Sequence, residues 1–252
     1  MTTEPRIAPE KDRHRANWLL AAMPAAELAR LMPHMEIVPL RPRTILADAG
    51  ARLRYAYFPH VGVICLMAAL HHGVTQTATI GAEGFVGFTA LLGGTTSSQR
   101  VLVQVGGSAS RMQIGPLLDT MHRNPAVRRL LLGYVRFFLV QVLQSVACNG
   151  LHSVRQRCAR WLLMAHDRAG TDTFGLTHQF LADALGIQRP SVTLVARSLQ
   201  HGGLIRYSRG AVTIADRDGL EDAACECYAI VRGALDDILT RPARTRHTRR
   251  RG

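Results

Sequence analysis

Hydrophobic positions along this chain change their period twice. Residues 18–34, WLLAAMPAAELARLMPH, place apolar side chains at helical spacing, with a break expected at Pro24. From Glu36 to about Met112 short apolar runs alternate with turn residues: EIVPL, TILADAG, RYAYFPHVGVICLMAAL, TQTATIGAEG, QRVLVQVGG and ASRMQIG. Strands at intervals of roughly 8–12 residues, with Gly or Pro between them, predict an antiparallel sandwich or barrel. From Gly115 onward the period is helical again. Asn124 followed by Pro125 is a helix start, a capping side chain and then proline in the first turn. That helix is expected to run to about Cys148, with Asn149–Gly150 ending it. Two of its rows are apolar: Val127, Leu131, Tyr134, Phe138 and Gln141 on one, Leu132, Val135, Leu139, Val142 and Val146 on the other. A second apolar face needs a second surface. A twin helix in a homodimer is one; burial on both sides within a single chain is the other. A further helix, from His152 to about Arg168, carries Trp161, Leu162 and Leu163 into the next core.

Charge narrows the partner. The 252 residues hold 31 basic against 18 acidic side chains, a net +13, and Lys11 is the only lysine. An arginine excess of this size favours a polyanion, either nucleic acid or an anionic membrane surface. The first residues are polar and show no secretory h-region. The apolar run Val127 to Ala147 contains Arg128, Arg129, Arg136, Gln141 and Gln144, so it reads as a buried helix and not a membrane span. Five cysteines, Cys65, Cys148, Cys158, Cys225 and Cys227, are scattered; an odd count without a leader suggests free thiols in a reducing cytoplasm. Only Cys225 and Cys227 are close. Their single intervening residue is not the usual spacing of a zinc half-site, and no second pair answers them in sequence, so structural or incidental thiols are expected and no metal. The end of the chain, RPARTRHTRRRG, is expected to be a disordered arginine-rich tail over 241–252.

The most specific stretch is LTHQFLADALGIQRPSVTLVARSLQHGGLIRYSRGAVTI, residues 176–214. Thr177 caps a short helix over 178–185, Gly186 turns the chain, and a second helix begins at Arg189–Pro190 and runs to about Gln200. Ala182 lies four residues before Gly186, where two helices meet closely. Leu181, Leu185, Ile187, Val192, Val195 and Leu199 supply the interior. GGLIRYSRGAVTI then reads as two strands around a three-residue loop, the wing of a winged helix. Arg189, at the amino end of the second helix, suits bidentate contact with guanine, and Gln188 suits adenine or a capping role. Ser191 and Thr193 suit phosphates or a thymine methyl, and Arg197, Arg206 and Arg209 suit phosphates.

These elements in this order resemble the Crp/Fnr superfamily of bacterial transcription regulators over roughly residues 18–232. The motif LADALGIQRPSVTLVARSLQHGGLI is the most specific part of the resemblance, and DRDGLEDAACECY after the wing looks like one branch of it. The resemblance implies an α+β chain: a cyclic-nucleotide-binding-like β-roll sensor (18–122), a dimerisation helix (123–150) and a winged helix-turn-helix (151–232). It also implies a homodimer on a palindromic operator in double-stranded DNA, contact with RNA polymerase and a cytoplasmic location. Pro190 and Leu194 depart from the family's usual Glu and base-reading Arg, so a different operator is expected.

At the sensor end the stretch GAEGFVGFTALLGG, residues 81–94, resembles the family's phosphate-binding cassette in its glycines, with Gly87 in register. Phe88 stands where the ribose-binding Glu should be, and a phenyl ring accepts no hydroxyl hydrogen bond. Arg100, the nearby arginine, comes late for a phosphate partner. Gly87, Phe88 and Arg100 are therefore candidate effector contacts for an unknown small molecule, with cyclic nucleotides disfavoured. Adjacent His71 and His72 in a turn are expected to be exposed polar residues and not heme ligands. No Walker loop, nucleophile elbow or metal-ligand pair marks an enzyme, and no cofactor is expected. The rival to a DNA-binding regulator is a ligand- or protein-binding sensor whose winged helix does not bind DNA specifically.

Overall fold

The computed structural model describes residues 13–71 and 73–239. Lys11, His72 and the arginine-rich tail at 241–252 lie outside the described residues. Two short helices, α1 (Trp18–Ala22) and α2 (Ala25–Leu31), precede a five-stranded sheet. Its strands are β1 (Met35–Leu40), β2 (Ile45–Ala47), β3 (Tyr55–Leu70), β4 (Gly73–Ile80) and β5 (Arg100–Gln113). Its order is β1-β5-β3-β4, with β2 also on β5, and every pairing is antiparallel.

Six expected runs became five strands because QRVLVQVGG and ASRMQIG are one continuous strand. Gly106 and Gly107 do not interrupt it. Gly107 lets β5 approach β3 where the register shifts between Pro59 and Ile64, since a Cβ there would run into the Val61 carbonyl, and Gly106 lies close against Leu40 and Pro42.

β3 is apolar almost throughout because both its faces are covered. Phe58 and Ile64 enter one core with α1, α2, Phe85 and the long helix, while Val63, Cys65 and Met67 enter a second. A half-exposed strand would alternate; a strand buried on both sides has no polar face to show. The second core also contains Trp161, Leu181, Val192, Leu199 and Val212. The boundary drawn between residues 122 and 151 therefore separates elements of sequence, but the winged helix and the sheet share one core.

Helix α3 (Ile114–Arg123) leads into α4 (Pro125–Leu151), whose first turn is capped by Asn124 accepting from Ala126 and Val127 N–H. Here Asn149–Gly150 does not end the helix. Gly150 stays helical, and the His152 N–H still reaches the Cys148 carbonyl at 3.1 Å. The stop comes instead at Ser153, which opens α5 (Val154–Ala169) with a reciprocal capping box to Gln156. By length and composition α4 could cross a membrane. Its buried row, Val127, Leu131, Tyr134, Phe138 and Gln141, packs inside the protein, and the Gln141 amide donates to the Thr79 carbonyl at 3.0 Å. The second apolar row splits. Val135 is buried, whereas Leu139 and Val146 are 54% and 68% exposed, and Leu143, outside that row, is 66% exposed beside them.

The remainder is β6 (Thr173–Gly175), α6 (His178–Leu185), α7 (Arg189–His201), β7 (Ile205–Ser208), β8 (Ala211–Ile214), α8 (Arg217–Ala223) and α9 (Cys227–Leu239). The last helix returns to the first core through Val231, Leu235 and Ile238 and lies along α4. Three of the scattered cysteines converge where it begins: Cys148, Cys225 and Cys227 pack together, buried, apart from both main cores. In space, Cys148 answers the Cys225–Cys227 pair that nothing answered in sequence.

Candidate nucleic-acid interface

The helix-turn-helix forms from local instructions. Thr177 Oγ1 accepts from the Phe180 N–H at 3.1 Å and opens α6. Gly186 closes it with φ +64°, a left-handed conformation that a Cβ would strain, and the Ile187 N–H returns to the Ala182 carbonyl at 3.0 Å. Ala182, Leu185, Val192 and Leu199 are buried between the helices as expected. Arg189 and Pro190 occupy the first turn of α7, where a proline loses no hydrogen bond. Gln188 is the cap residue by backbone position, yet its side chain makes no capping bond, so its amide is available to other partners.

The wing differs from the three-residue loop expected. Ser208 pairs directly with Ala211, leaving the two-residue turn Arg209–Gly210, with φ +47° and +78°. Two successive positive φ values define the I′ class that matches strand twist. Arg209 accepts a conformation that usually favours Gly or Asn, and in doing so holds its guanidinium at the wing tip. The wing sheet also has a third strand, since β6 pairs with β8. Its three residues were too few to show a period.

Gln188, Arg189, Arg197, Arg206 and Arg209 are all exposed, and Ser191 and Thr193 are half-buried. Among the described residues none of these four arginines has a carboxylate partner, whereas Arg100, Arg111, Arg168 and Arg217 each have one. Leu194, the departure from the family pattern, is 67% exposed on the same helix. Thr193 is less free than expected. Its hydroxyl lies 3.2 Å from His178 Nδ1 and donates to the Arg189 carbonyl.

His178 was not anticipated as a member of this region. Its ring meets Tyr207 edge-on at 4.5 Å, and Tyr207 donates to the Leu176 carbonyl. The pair joins α6, α7 and the wing. Burial lowers the His178 pKa, and the charges of Arg189 and Arg197 lower it further. A lone histidine after a cap residue carries no such signal in sequence; only the fold brings it to α7.

At the sensor end, Gly87 has φ +96° and turns the chain as a cassette glycine would. Phe88 is buried, with its ring 4.3 Å from Phe138 and 5.9 Å from Tyr134 on α4. Arg100 is not beside them. It lies at the surface in an ion pair with Asp48 at 2.6 Å, because β5 directs it toward the β2 edge. The three expected effector contacts therefore do not form one site. Gly87 and Phe88 line a cleft of about 30 Å³ with Leu53, Leu66 and Gln99, and no charged side chain borders it. That is the share of a single water, far below the several hundred cubic ångströms of a nucleotide-sized pocket.

The remaining charge of this loop points inward. Glu83 accepts from the Gly81 N–H and pairs with Arg168 of α5 at 2.7 Å, both side chains being almost wholly buried. Arg168 also donates to Gln141 of α4 at 3.0 Å and to the Met164 carbonyl at 2.8 Å. The loop, the long helix and the winged-helix domain thus meet in one satisfied polar network. Close by, Trp161 donates to Gln76 of β4 at 3.3 Å.

Residues 156–223 match the family model of the Crp-like helix-turn-helix domain. Solved structures extend the likeness over both parts of the chain. FixK2 from Bradyrhizobium japonicum matches with 16% identity and a TM-score of 0.65, covering 76% of this chain and 98% of its own. A transcriptional regulator of the Crp/Fnr family from Eubacterium rectale matches with 17% identity and a TM-score of 0.60, over 81% and 96%. A CRP-family transcriptional regulator from Thermus thermophilus matches with 21% identity and a TM-score of 0.61, over 74% and 96%. No curated protein matches the chain. The sheet, the long helix and the winged helix accordingly place a Crp-like helix-turn-helix domain on the fold of the Crp/Fnr transcription regulators.

Proposed function

We propose that this chain is a homodimeric, cytoplasmic transcription regulator that reads a two-fold symmetric site in double-stranded DNA and engages RNA polymerase there. The observation that carries this reading is the cluster of four exposed arginines on α7 and the wing, Arg189, Arg197, Arg206 and Arg209, on a helix-turn-helix scaffold, none with a carboxylate partner among the described residues. Gln188 and Arg189 would reach base edges, Leu194 would offer apolar contact to a thymine methyl, and Arg197, Arg206 and Arg209 would hold phosphates. Ser191 faces the same groove; Thr193 helps orient α7 through His178.

The dimer reading is supported by Leu132, Leu139, Leu143 and Val146. Leu139, Leu143 and Val146 follow each other at four and three residues, and Leu132 precedes Leu139 by seven, the spacing of a coiled-coil seam. Two such helices would set the recognition helices roughly 34 Å apart, one turn of DNA. An effector, if one acts, is not a cyclic nucleotide at Gly87, Phe88 and Arg100. Band shifts across a salt series, with specific and nonspecific competitor, test the reading. Specific complexes that survive competitor are expected; salt-sensitive binding without sequence preference would favour the rival in which the winged helix does not read DNA.

A further inference from the structure

We infer that Cys148, His152, Cys225 and Cys227 form a binding site for one thiophilic divalent cation, of the chemistry of zinc, at the junction of the long helix and the winged-helix domain. One ligand atom from each of the four residues lies within 4.8 Å of all the others. Cys148 Sγ is 3.5 Å from Cys225 Sγ, and Cys227 Sγ is 3.4 Å from His152 Nδ1. A tetrahedral zinc with bonds of about 2.3 Å to sulfur has edges of about 3.8 Å, so these two opposite edges are already closed to coordination distance. The site would take three thiolates and one neutral imidazole, the Cys₃His set of structural zinc centres.

Two features set this cluster apart from thiols that merely pack together. The first is the surroundings of the histidine. His152 turns Nδ1 toward Cys227 and Nε2 toward Glu226, whose carboxylate lies 3.2 Å away. With the proton on Nε2, donated to the carboxylate, Nδ1 keeps its lone pair for a metal; this is the usual outer-sphere arrangement of a metal-bound histidine. The second is a donor aimed at sulfur. Gln144 Nε2 donates to Cys227 Sγ at 3.1 Å, a contact that favours a thiolate. All three cysteines are buried, which protects a bound ion from exchange, and His152 forms the partly open side through which it could enter.

Sequence spacing hid the site because its halves follow different rules. Cys148 lies in the last turn of α4 and His152 just beyond its end, with the His152 N–H on the Cys148 carbonyl. Cys225 and Cys227 flank the residue at which α8 gives way to α9. The ion would tie four segments: the last turn of α4, the extended His152 that separates α4 from α5, the α8–α9 turn, and the start of α9. It would therefore fix the joint on which the winged helix is carried. On binding, each thiol releases its proton to solvent. This assignment does not depend on the DNA-binding reading.

The test is metal analysis of the full chain purified under reducing conditions, followed by exchange with Co²⁺. About one zinc per chain is expected, and the cobalt form should show the intense visible bands of a tetrahedral ion with thiolate-to-cobalt charge transfer. Cys227→Ser and His152→Ala should lose the charge-transfer intensity or weaken it strongly. Cys158→Ala, a buried thiol outside the cluster, should retain it. Should the cysteine variant fail to fold, Glu226→Ala at an exposed position serves instead, with an expected loss of about 10–100-fold in metal affinity. A chain that takes up no metal and shows only the pale spectrum of hydrated cobalt would overturn the assignment. So would a Cys148–Cys225 disulfide that persists against the reductant when metal is supplied.

Discussion

At the cap and on the face of α7, Gln188, Arg189 and Arg197 reach solvent, with no carboxylate among the described residues paired to either arginine, whereas the one charged side chain of residues 81–94, Glu83, is sealed against Arg168. Both regions carry the backbone features of their motifs. Gly186 turns the helix pair and Gly87 turns the loop, each at positive φ. The difference lies in where the side chains go. The loop packs Phe88 against Phe138 and Tyr134 and leaves room for about one water, so its glycines serve the architecture of the sheet. On α7 Thr193 is tied to His178 and to the Arg189 carbonyl, while Arg189 and Arg197 have no carboxylate partner among the described residues. A motif's glycines report geometry; its charges report chemistry, and the two can part company.

The largest effect is expected from placing a carboxylate at position 88. Phe88→Glu should destabilise the fold by at least about 3–5 kcal/mol, since it removes a packed aromatic and buries a charge, and it should confer no cyclic-nucleotide binding. Chemical denaturation and calorimetry check both halves. Glu83→Gln should cost about 3–5 kcal/mol of stability by leaving Arg168 buried without its counter-charge, while leaving sequence preference on DNA unaltered. Arg189→Ala should do the opposite: folding stays within error of the parent, and specific affinity falls by about 1–3 kcal/mol with relaxed preference at one base pair.

Two histidines sharpen the contrast further. His60 on β3 has its pKa lowered to about 4 by burial and then by the neighbouring charges of His14 and Arg13. Its unfolded value is near 6.5, so the unfolded chain binds a proton that the folded chain refuses. Stability is therefore complete above about 6.5 and falls as pH drops from there through about 4. His178 is lowered by burial and by Arg189 and Arg197. Phosphates bound beside those arginines should raise it again, so NMR titration of the full chain should show His178 moving upward on adding operator DNA while His60 stays put. The smallest effect is expected at Arg100. Arg100→Ala removes an exposed ion pair with Asp48 and should change stability by less than about 1 kcal/mol, with no change in ligand or DNA binding.

What was legible in sequence was whatever is decided locally. Thr177, Gly186, Pro190 and the apolar offsets between them lie within one short stretch, and each acts on its own neighbours, so the helix-turn-helix emerged with its boundaries nearly right. The start of α4 was equally plain from Asn124–Pro125. Its end was not, because Gly150 could stop the helix or continue it, and the capping box of Ser153 and Gln156 decides the matter one turn later. The fate of Arg100 depends on Asp48, 52 residues away, and that of Cys225 on Cys148, 77 residues away. No spacing rule reaches so far. The shared core was hidden for a similar reason: an apolar β3 shows that both faces are covered without showing what covers the second.

In the proposed complex α7 presents Arg189 to base edges on a two-fold symmetric site. The most direct test of this placement is sequencing of DNA fragments selected by the purified full chain and, in parallel, by Arg189→Ala. The parent chain should enrich a palindrome with half-sites one helical turn apart, and the variant should lose preference at one symmetric pair of positions. Enrichment of no motif by the parent, or of the same motif with undiminished affinity by the variant, would contradict it.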